Sequence, residues 1–307
     1  MTVLEWLLDS DPAIRWQALR DLTPAPPDEV AAERARVAHE GWGAQLLAAQ
    51  GTDGQWSSGA LFPEWISTTY TLQLLQQFGV DPTTEKVRHA IEGVRANSRW
   101  EHDNEPYFDG EVEPCINGRA VAIGAYFGVD VRGIVNRLLT EQMEDGGWNC
   151  EQERGSTRGS FDTTINVLEG LLEFERSIGG DAAVAAARNR GQEYLLKRGL
   201  FRRLSTGEVI VPHKGESDWL QFSFPDGWHY DILRGLDYLR AAGVTPDERV
   251  NEAIGVVESK RDADGRWLLE HAHHDKLLVD LGEREGKPSR WITLRALRVL
   301  RWAGREV

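Results

Sequence analysis

A seven-residue turn recurs three times along the 307-residue chain and constrains its fold more than any other feature. The pattern Gln-x-x-Asp-Gly-x-Trp occupies residues 50–56 and 142–148, and it returns at 261–267 with Arg in place of Gln. The Asp can accept hydrogen bonds from the backbone of its own turn, and the Gly supplies a positive φ. We expect the Trp to pack between neighbouring hairpins, which is what repeated aromatic residues usually do.

Each turn follows an amphipathic helix, predicted at 42–50, 131–142 and 250–261, and each is followed after a loop by a helix of a second kind. Five predicted helices of this second kind resemble one another: 67–78, 116–127, 163–174, 229–239 and 291–300. Three of them end in an apolar residue, Gly and Val, where the glycine can form the C-terminal cap. The spacing of roughly 50–65 residues predicts repeats of two helices joined by a variable loop.

These repeats predict one all-α domain over residues 1–307. Residues 1–40 read as N-terminal helices that cap the first repeat, because terminal repeats are atypical, and residues 41–303 hold the repeats. The strand signal is confined to a short alternating segment at 208–212. We therefore expect about five to six helix hairpins and no sheet.

Composition excludes several classes of protein. The chain has 35 Lys and Arg against 49 Asp and Glu, a formal charge of −14, which disfavours a nucleic-acid partner. Its apolar runs fall short of the roughly 18–20 residues of a transmembrane helix, and its first residues do not read as a secretory signal. With two cysteines, a disulfide framework is not expected, so the predicted location is the reducing cytoplasm.

The Gln-x-x-Asp-Gly-x-Trp turns resemble the QW-type motifs of squalene and oxidosqualene cyclases and the glycine-rich turns of protein prenyltransferase β-subunits. The resemblance covers about residues 40–303. It implies an (α/α) toroid, or α/α barrel, in which the second helices form an inner ring around a central cavity that binds an isoprenoid. The Asp-x-Asp-Asp acid of class II cyclases does not occur in the chain, so cyclase catalysis is not carried over.

The resemblance also bears on metal binding. Protein prenyltransferases hold zinc with an Asp-x-Cys pair at the start of one inner helix and a His at the start of another. Here Glu113-Pro114-Cys115 stands at the start of the second inner helix, with Glu in place of Asp, and His229 at the start of the fourth.

Aligning the inner helices puts Cys115 and Asp162 in equivalent positions, with His229 within about two residues of the same position. Cys150 lies in the loop that leads to Asp162. Since thiolate, imidazole and carboxylate are ligands that zinc and ferrous iron prefer, Cys115, Cys150, Asp162 and His229 form a predicted metal site at the cavity mouth. Alternatively, the cysteines are small buried residues and Asp162 is a helix N-cap. A third possibility is metal-free acid–base chemistry by Asp162, His229 and Asp231.

Two further groups are candidates for substrate binding. The loop before the fourth inner helix carries four aromatic residues that either line an apolar site or anchor the loop: Trp219, Phe222, Phe224 and Trp228. Arg158 belongs to a basic group that either steers an anionic substrate group or is solvated surface. The histidines 271, 273 and 274 lie in a polar segment that we expect to be a surface loop.

The leading hypothesis is an enzyme that acts on a terpenoid or another apolar small molecule inside the toroid. The alternatives are a non-catalytic binding or scaffold toroid and a carbohydrate-active α/α barrel. The last would use two carboxylates about 5–10 Å apart, for which the nominees are Asp162 paired with Asp231 or with Glu113.

Overall fold

A computed structural model of the chain describes residues 1–57, 59–211, 219–273 and 276–307. Within these ranges the extended residues form isolated bridges and no strand, and the regular structure is helical, which confirms the prediction of an all-α fold. None of the described helices is both long and apolar enough to cross a membrane. The helices are α1 (Val3–Leu8), α2 (Pro12–Leu22), α3 (Pro27–Ala35), α4 (Gly41–Ala48), α5 (Thr68–Phe78), α6 (Glu85–Asn97), α7 (Pro114–Tyr126), α8 (Arg132–Thr140), α9 (Phe161–Ile178), α10 (Ala182–Leu196), α11 (Ile232–Ala241), α12 (Asn251–Ser259) and α13 (Arg290–Trp302).

The helices fall where the sequence repeats predict them. Helices α4, α8 and α12 precede the three turns, and α5, α7, α9, α11 and α13 are the five predicted helices of the second kind. Glycine ends three of the second helices as expected. After α5, Gly79 has φ 78° and the N–H of Val80 donates to the carbonyl of Leu75 at 3.1 Å; Gly128 and Gly243 end α7 and α11 in the same way. This is the Schellman arrangement, in which a left-handed residue satisfies the last carbonyls of the helix.

The three turns share one geometry around a fully buried tryptophan. Each indole N–H donates at 2.7 Å to a carbonyl ten residues earlier in the preceding helix, and the donors are Trp56, Trp148 and Trp267. Each tryptophan backbone N–H donates to a threonine hydroxyl in the first turns of the following second helix, at Thr68, Thr164 and Thr293. The turn therefore fastens the two helices of its hairpin together.

The glutamine of the first two turns fastens the hairpin to the next helix along the chain. The amide of Gln50 donates to Gly54 inside its own turn and to Ala90 in α6, at 2.7 and 2.9 Å. Gln142 does the same with Gly146 and with α10, both at 2.8 Å. The positive φ of the turn glycine, 80° at Gly54, is a conformation that L side chains rarely adopt.

The chain divides into two compact units. Unit 1 comprises Met1–Arg36, Leu195–Asp275 and Asp280–Val307, and unit 2 comprises Val37–Tyr194 and Lys276–Val279. In unit 1, α11 packs against α13 and α13 packs against α2, so the N-terminal helices lie on the last helix of the chain.

Within unit 2, α7 packs against both α5 and α9. The contact with α9 is a backbone contact: a Cβ atom on Gly118 would lie 2.5 Å from the carbonyl oxygen of Asn166, and one on Gly170 would clash with the carbonyl of Gly118. Glycine is required here because no side chain fits between the two helices. The close crossing sets the starts of α7 and α9 side by side, which positions the site described next.

Candidate functional site

The residues predicted to form a site are divided between the two units. Unit 2 holds Cys115, Cys150, Arg158 and Asp162, and unit 1 holds Trp219, Phe222, Phe224, Trp228, His229 and Asp231. The register of the second helices is as predicted at two positions, since Cys115 and Asp162 are each the second residue of their helix. His229 lies three residues before the first residue of α11.

The two cysteines of unit 2 meet at the start of α7. Cys115 follows the N-cap residue Glu113 and the buried Pro114 at the first helical position. Cys150 lies in the loop after the second turn, where its backbone N–H and its sulfur are both 3.4 Å from the hydroxyl of Thr163 in α9. The first turn of α9 thus fixes the loop that carries Cys150, and both thiols are free.

One carboxylate joins the two thiols. The Sγ atoms of Cys115 and Cys150 and a carboxylate oxygen of Glu113 all lie within 4.8 Å of one another. We call Glu113, Cys115 and Cys150 the thiol site. Cys115 is 3.6 Å from the Glu113 carboxylate. Both cysteines are half-buried and Glu113 is exposed, so the site faces solvent on one side.

A cavity of about 370 Å³ lies against the thiol site. Glu113 and Cys150 form part of its lining, together with further acidic residues and one arginine: Glu141, Glu151, Glu153 and Arg154. Acidic residues therefore outnumber basic ones in this lining, although Glu141 is paired with Arg137 and Glu151 with Arg154.

A hydrogen bond between the two thiols shifts their pKa values in opposite directions. The hydrogen bond from Cys115 lowers the pKa of the Cys150 thiol, and further hydrogen bonds from Thr163 and from the Cys115 backbone N–H act in the same direction, against burial. The same bond, followed by burial, raises the pKa of Cys115 well above its usual value. Cys150 is therefore the sulfur that ionises first, and the thiolate is the form that binds metals.

Asp162 has the same position in α9 as Cys115 has in α7, but it is not one of the three residues whose ligand atoms are grouped together. The alternative that Asp162 is the N-cap of α9 is wrong. Ser160 is the N-cap, and its hydroxyl accepts the N–H of Thr163 at 3.0 Å. The reason is that the chain becomes helical at Phe161, one residue before Asp162.

Arg158 is exposed, and its carbonyl accepts a hydrogen bond from the side-chain amide of Asn149 at 2.7 Å.

In unit 1, two of the four aromatic loop residues are core residues. Phe222 and Phe224 are fully buried, and Phe224 stacks on Trp291 of α13 with ring centroids 4.5 Å apart. Their burial favours the interpretation that these two anchor the loop. Trp219 and Trp228 are half-buried.

His229 belongs to a stack of rings in unit 1. Its imidazole lies 3.8 Å from the Trp228 ring and 3.7 Å from that of His273, nearly parallel to the latter, and His271 meets His273 edge-on. His274 lies outside the described residues. Stacking of this kind holds the imidazole rings in fixed orientations.

Asp231 is the N-cap of α11 and is fully buried. One carboxylate oxygen accepts the N–H of Arg234 at 2.8 Å, and the other accepts the N–H and hydroxyl of Ser223 at 3.2 and 3.3 Å. Burial raises its pKa to about 6, against these hydrogen bonds. The carboxyl group therefore has a structural role in capping α11 and also titrates near neutral pH.

This raised pKa predicts a pH-dependent stability. Because the folded protein holds the Asp231 proton more tightly than the unfolded chain does, the contribution of this residue is lost as pH rises from about 4 to about 6. We subtract the free energy of unfolding of the natural chain from that of Asp231→Asn, both measured by urea titration. This difference should increase by about 2–3 kcal/mol from pH 4 to pH 7, because only the natural chain loses the contribution of the protonated carboxyl group. Parallel pH profiles of the two proteins would contradict the assignment.

Tyr70 and Arg119 were missed by the sequence patterns. Arg119 lies on α7 one turn after Cys115, is 4% exposed, and has its guanidinium carbon 5.1 Å from the centre of the Tyr70 ring. A signal was present, since Arg119 is the one charged residue in the otherwise uncharged segment 116–127. A buried charge in an apolar helix is rare without a partner or a function.

The chain matches no protein-family model, and no curated protein matches its sequence. Among solved structures, a protein from Actinoplanes is similar over 96% of this chain and 90% of its own length. The two are 17% identical, with a TM-score of 0.47. This likeness identifies no activity, so the function is argued from the thiol site.

Proposed function

We propose that the chain is a metal-dependent enzyme that holds a zinc ion at the thiol site and acts on an apolar small molecule. The observation that carries this proposal is the grouping of two sulfurs and one carboxylate oxygen within 4.8 Å. These three atoms come from two separate parts of the chain that the α7–α9 crossing brings together. A structural role for two small buried residues does not call for a carboxylate beside them.

The donor set fits zinc. Zinc–sulfur and zinc–oxygen bonds of about 2.0–2.3 Å put the ligands of a tetrahedral ion about 3.3–3.8 Å apart. The three ligand atoms of the thiol site lie within 4.8 Å of one another, so movements of about 1 Å would bring them to this spacing. Two thiolates also favour zinc over magnesium or calcium, which prefer oxygen ligands.

Three protein ligands are the number found in catalytic zinc sites, which keep the fourth position open for water or substrate. A zinc ion there would supply a Lewis acid and would activate a bound water or thiol. Cys150, whose thiol ionises first, and Glu113 would provide the negative charge that holds the ion. Thr163 would fix the orientation of Cys150 through the contact between its hydroxyl and the sulfur.

The substrate class and the closed toroid rest on the resemblance of the turns to the cyclase and prenyltransferase repeats. In support, α7 packs against α5 and α9 in unit 2. The thiol site lies at the N-terminal end of α7, beside the first turn of α9. The paired-carboxylate alternative has less support, because the Asp231 carboxylate is occupied as a buried helix cap.

Metal analysis tests the proposal. Protein purified without a histidine tag and equilibrated with zinc should retain about one ion per chain, with three protein ligands as in catalytic sites. Cys115→Ser, Cys150→Ser and Glu113→Gln should each lose most of it. In the cobalt-substituted protein, a thiolate-to-cobalt charge-transfer band should appear and should weaken in both cysteine variants.

Two controls separate ligation from general attraction of cations. Glu151→Gln removes one negative charge from the same cavity but no ligand, so its zinc content should not change. His229→Ala tests the prediction, made from the resemblance, that His229 is a further ligand. Zinc content below about 0.2 per chain in the natural protein, or unchanged content in both cysteine variants, would refute the proposal.

A further inference from the structure

Arg119 is a buried cation with no ionic partner among the residues that the structure describes. The residue is 4% exposed, and its Nε and Nη1 atoms are buried without a hydrogen-bond partner in the part of the chain that the structure describes. Among the described residues, no carboxylate lies within ion-pair distance of it. Burying a charge in this way destabilises the folded protein, and each unmet N–H adds to that cost. An arginine kept under such conditions calls for an explanation beyond packing.

The position of Arg119 relates it to the thiol site. It lies four residues after Cys115 on α7, and long side chains on a helix lean toward its N-terminal end. Arg119 therefore reaches back over the turn that carries Cys115.

A second unmet donor lies on the neighbouring helix. The Ser67 hydroxyl at the N-cap of α5 is fully buried, makes no capping bond and has no partner among the described residues. Ser67 precedes Tyr70 by three residues, so both lie on the same side of α5. The Tyr70 ring lies under the Arg119 guanidinium, and its hydroxyl accepts a hydrogen bond from Arg119. Burial raises the pKa of this hydroxyl against that bond, so the group is protonated at neutral pH and has a hydrogen to donate.

We propose that Arg119, with Tyr70 in contact with it and Ser67 one turn before Tyr70 on α5, binds an oxyanion, either a carboxylate or a phosphate group, of the molecule that acts at the thiol site. The three side chains offer hydrogen-bond donors and one positive charge, which is the chemistry that binds an oxyanion. This inference rests on the proposed function for the identity of the bound molecule. It extends that function, because the substrate then carries an anionic group next to its reacting atom.

Thermal shift and calorimetry with inorganic phosphate and with acetate test the inference, on both zinc-loaded and metal-free protein. The natural chain should be stabilised by at least one of the two anions, and the one that acts distinguishes phosphate from carboxylate. Arg119→Met keeps the volume of the side chain and removes its charge, so the anion should bind about 10- to 100-fold more weakly. The same variant should melt at a higher temperature than the natural chain when no anion is present, because an unpaired buried charge is removed.

Two further variants serve as controls for the anion-binding measurement. Arg154→Gln, at an exposed arginine in the lining of the neighbouring cavity, should leave the anion affinity unchanged. If Arg119→Met does not fold, Arg119→Lys retains the charge with different donor geometry and should weaken binding less. Equal anion affinity in the natural chain and in the Arg119 variant, or no stabilisation by either anion, would overturn the inference. Anion binding by metal-free protein that takes up no zinc would support the oxyanion site while refuting the zinc proposal.

Discussion

Asp226→Asn is expected to lower the free energy of unfolding by about 3–5 kcal/mol, because it removes a buried carboxylate that pairs with two buried arginines. The Asp226 carboxylate, 1% exposed, lies 3.1 Å from Nη1 of Arg295 and 3.3 Å from Nε of Arg234. Burial alone would raise its pKa, but these two guanidinium groups hold the pKa below its usual value. Asparagine fills the same volume as aspartate, so the loss of stability would come from the missing charge and not from a cavity.

The measurement is urea-induced unfolding followed by tryptophan fluorescence and circular dichroism. Asp280→Asn is the matched control, since Asp280 pairs with Arg284 at a shorter distance, 2.8 Å, but both side chains are exposed. An exposed pair of this kind is screened by solvent and contributes little to stability. A similar small effect at Asp226 would show that the buried cluster does not stabilise the fold.

The second large effect is expected at the tryptophan of a repeated turn. Trp148→Ala should cost about 3–5 kcal/mol, because it empties a fully buried site and leaves the Leu138 carbonyl without its donor. Trp148→Phe keeps most of the apolar area and should cost about 1–3 kcal/mol, which is the penalty for the unmet carbonyl.

The same phenylalanine replacement at Trp56 and Trp267 is the control. All three indoles donate at 2.7 Å to a carbonyl ten residues earlier, so the three variants should be destabilised to a similar degree in urea titrations. If one of them is neutral, the three turns do not have equivalent roles.

Much of the local structure follows from the sequence because it depends on neighbouring residues alone. Helical periodicity predicts the second helices to within a few residues, and glycine in the left-handed region marks the ends at Gly79, Gly128 and Gly243. The Asp-Gly pair predicts the turns. In the first two, Asp53 and Asp145 accept backbone N–H groups as expected. In the third, Asp262 takes that role for Arg266.

The candidate site was only partly predictable. Repeat alignment predicts that Cys115 and Asp162 share a register position, which is correct. It does not predict that Cys150, from the loop after the second turn, reaches Cys115, because loop conformation depends on contacts such as the one with Thr163. Repeat alignment also does not predict which residue is the N-cap of α9. The helix begins two residues earlier than predicted, at Phe161, so Ser160 is the N-cap and Asp162 is not.

The all-α class, the helix–turn–helix repeat and the burial of the turn tryptophans can be predicted from the sequence, because they depend on interactions between residues close together in the chain. Which side chains meet in the candidate site depends on how the helices pack. The close crossing of α7 and α9 at Gly118 and Gly170 assembles Glu113, Cys115 and Cys150 into one site. The physical reason is that such distances are set by how two helices pack, and a packing contact between glycines leaves no periodic signal in either helix.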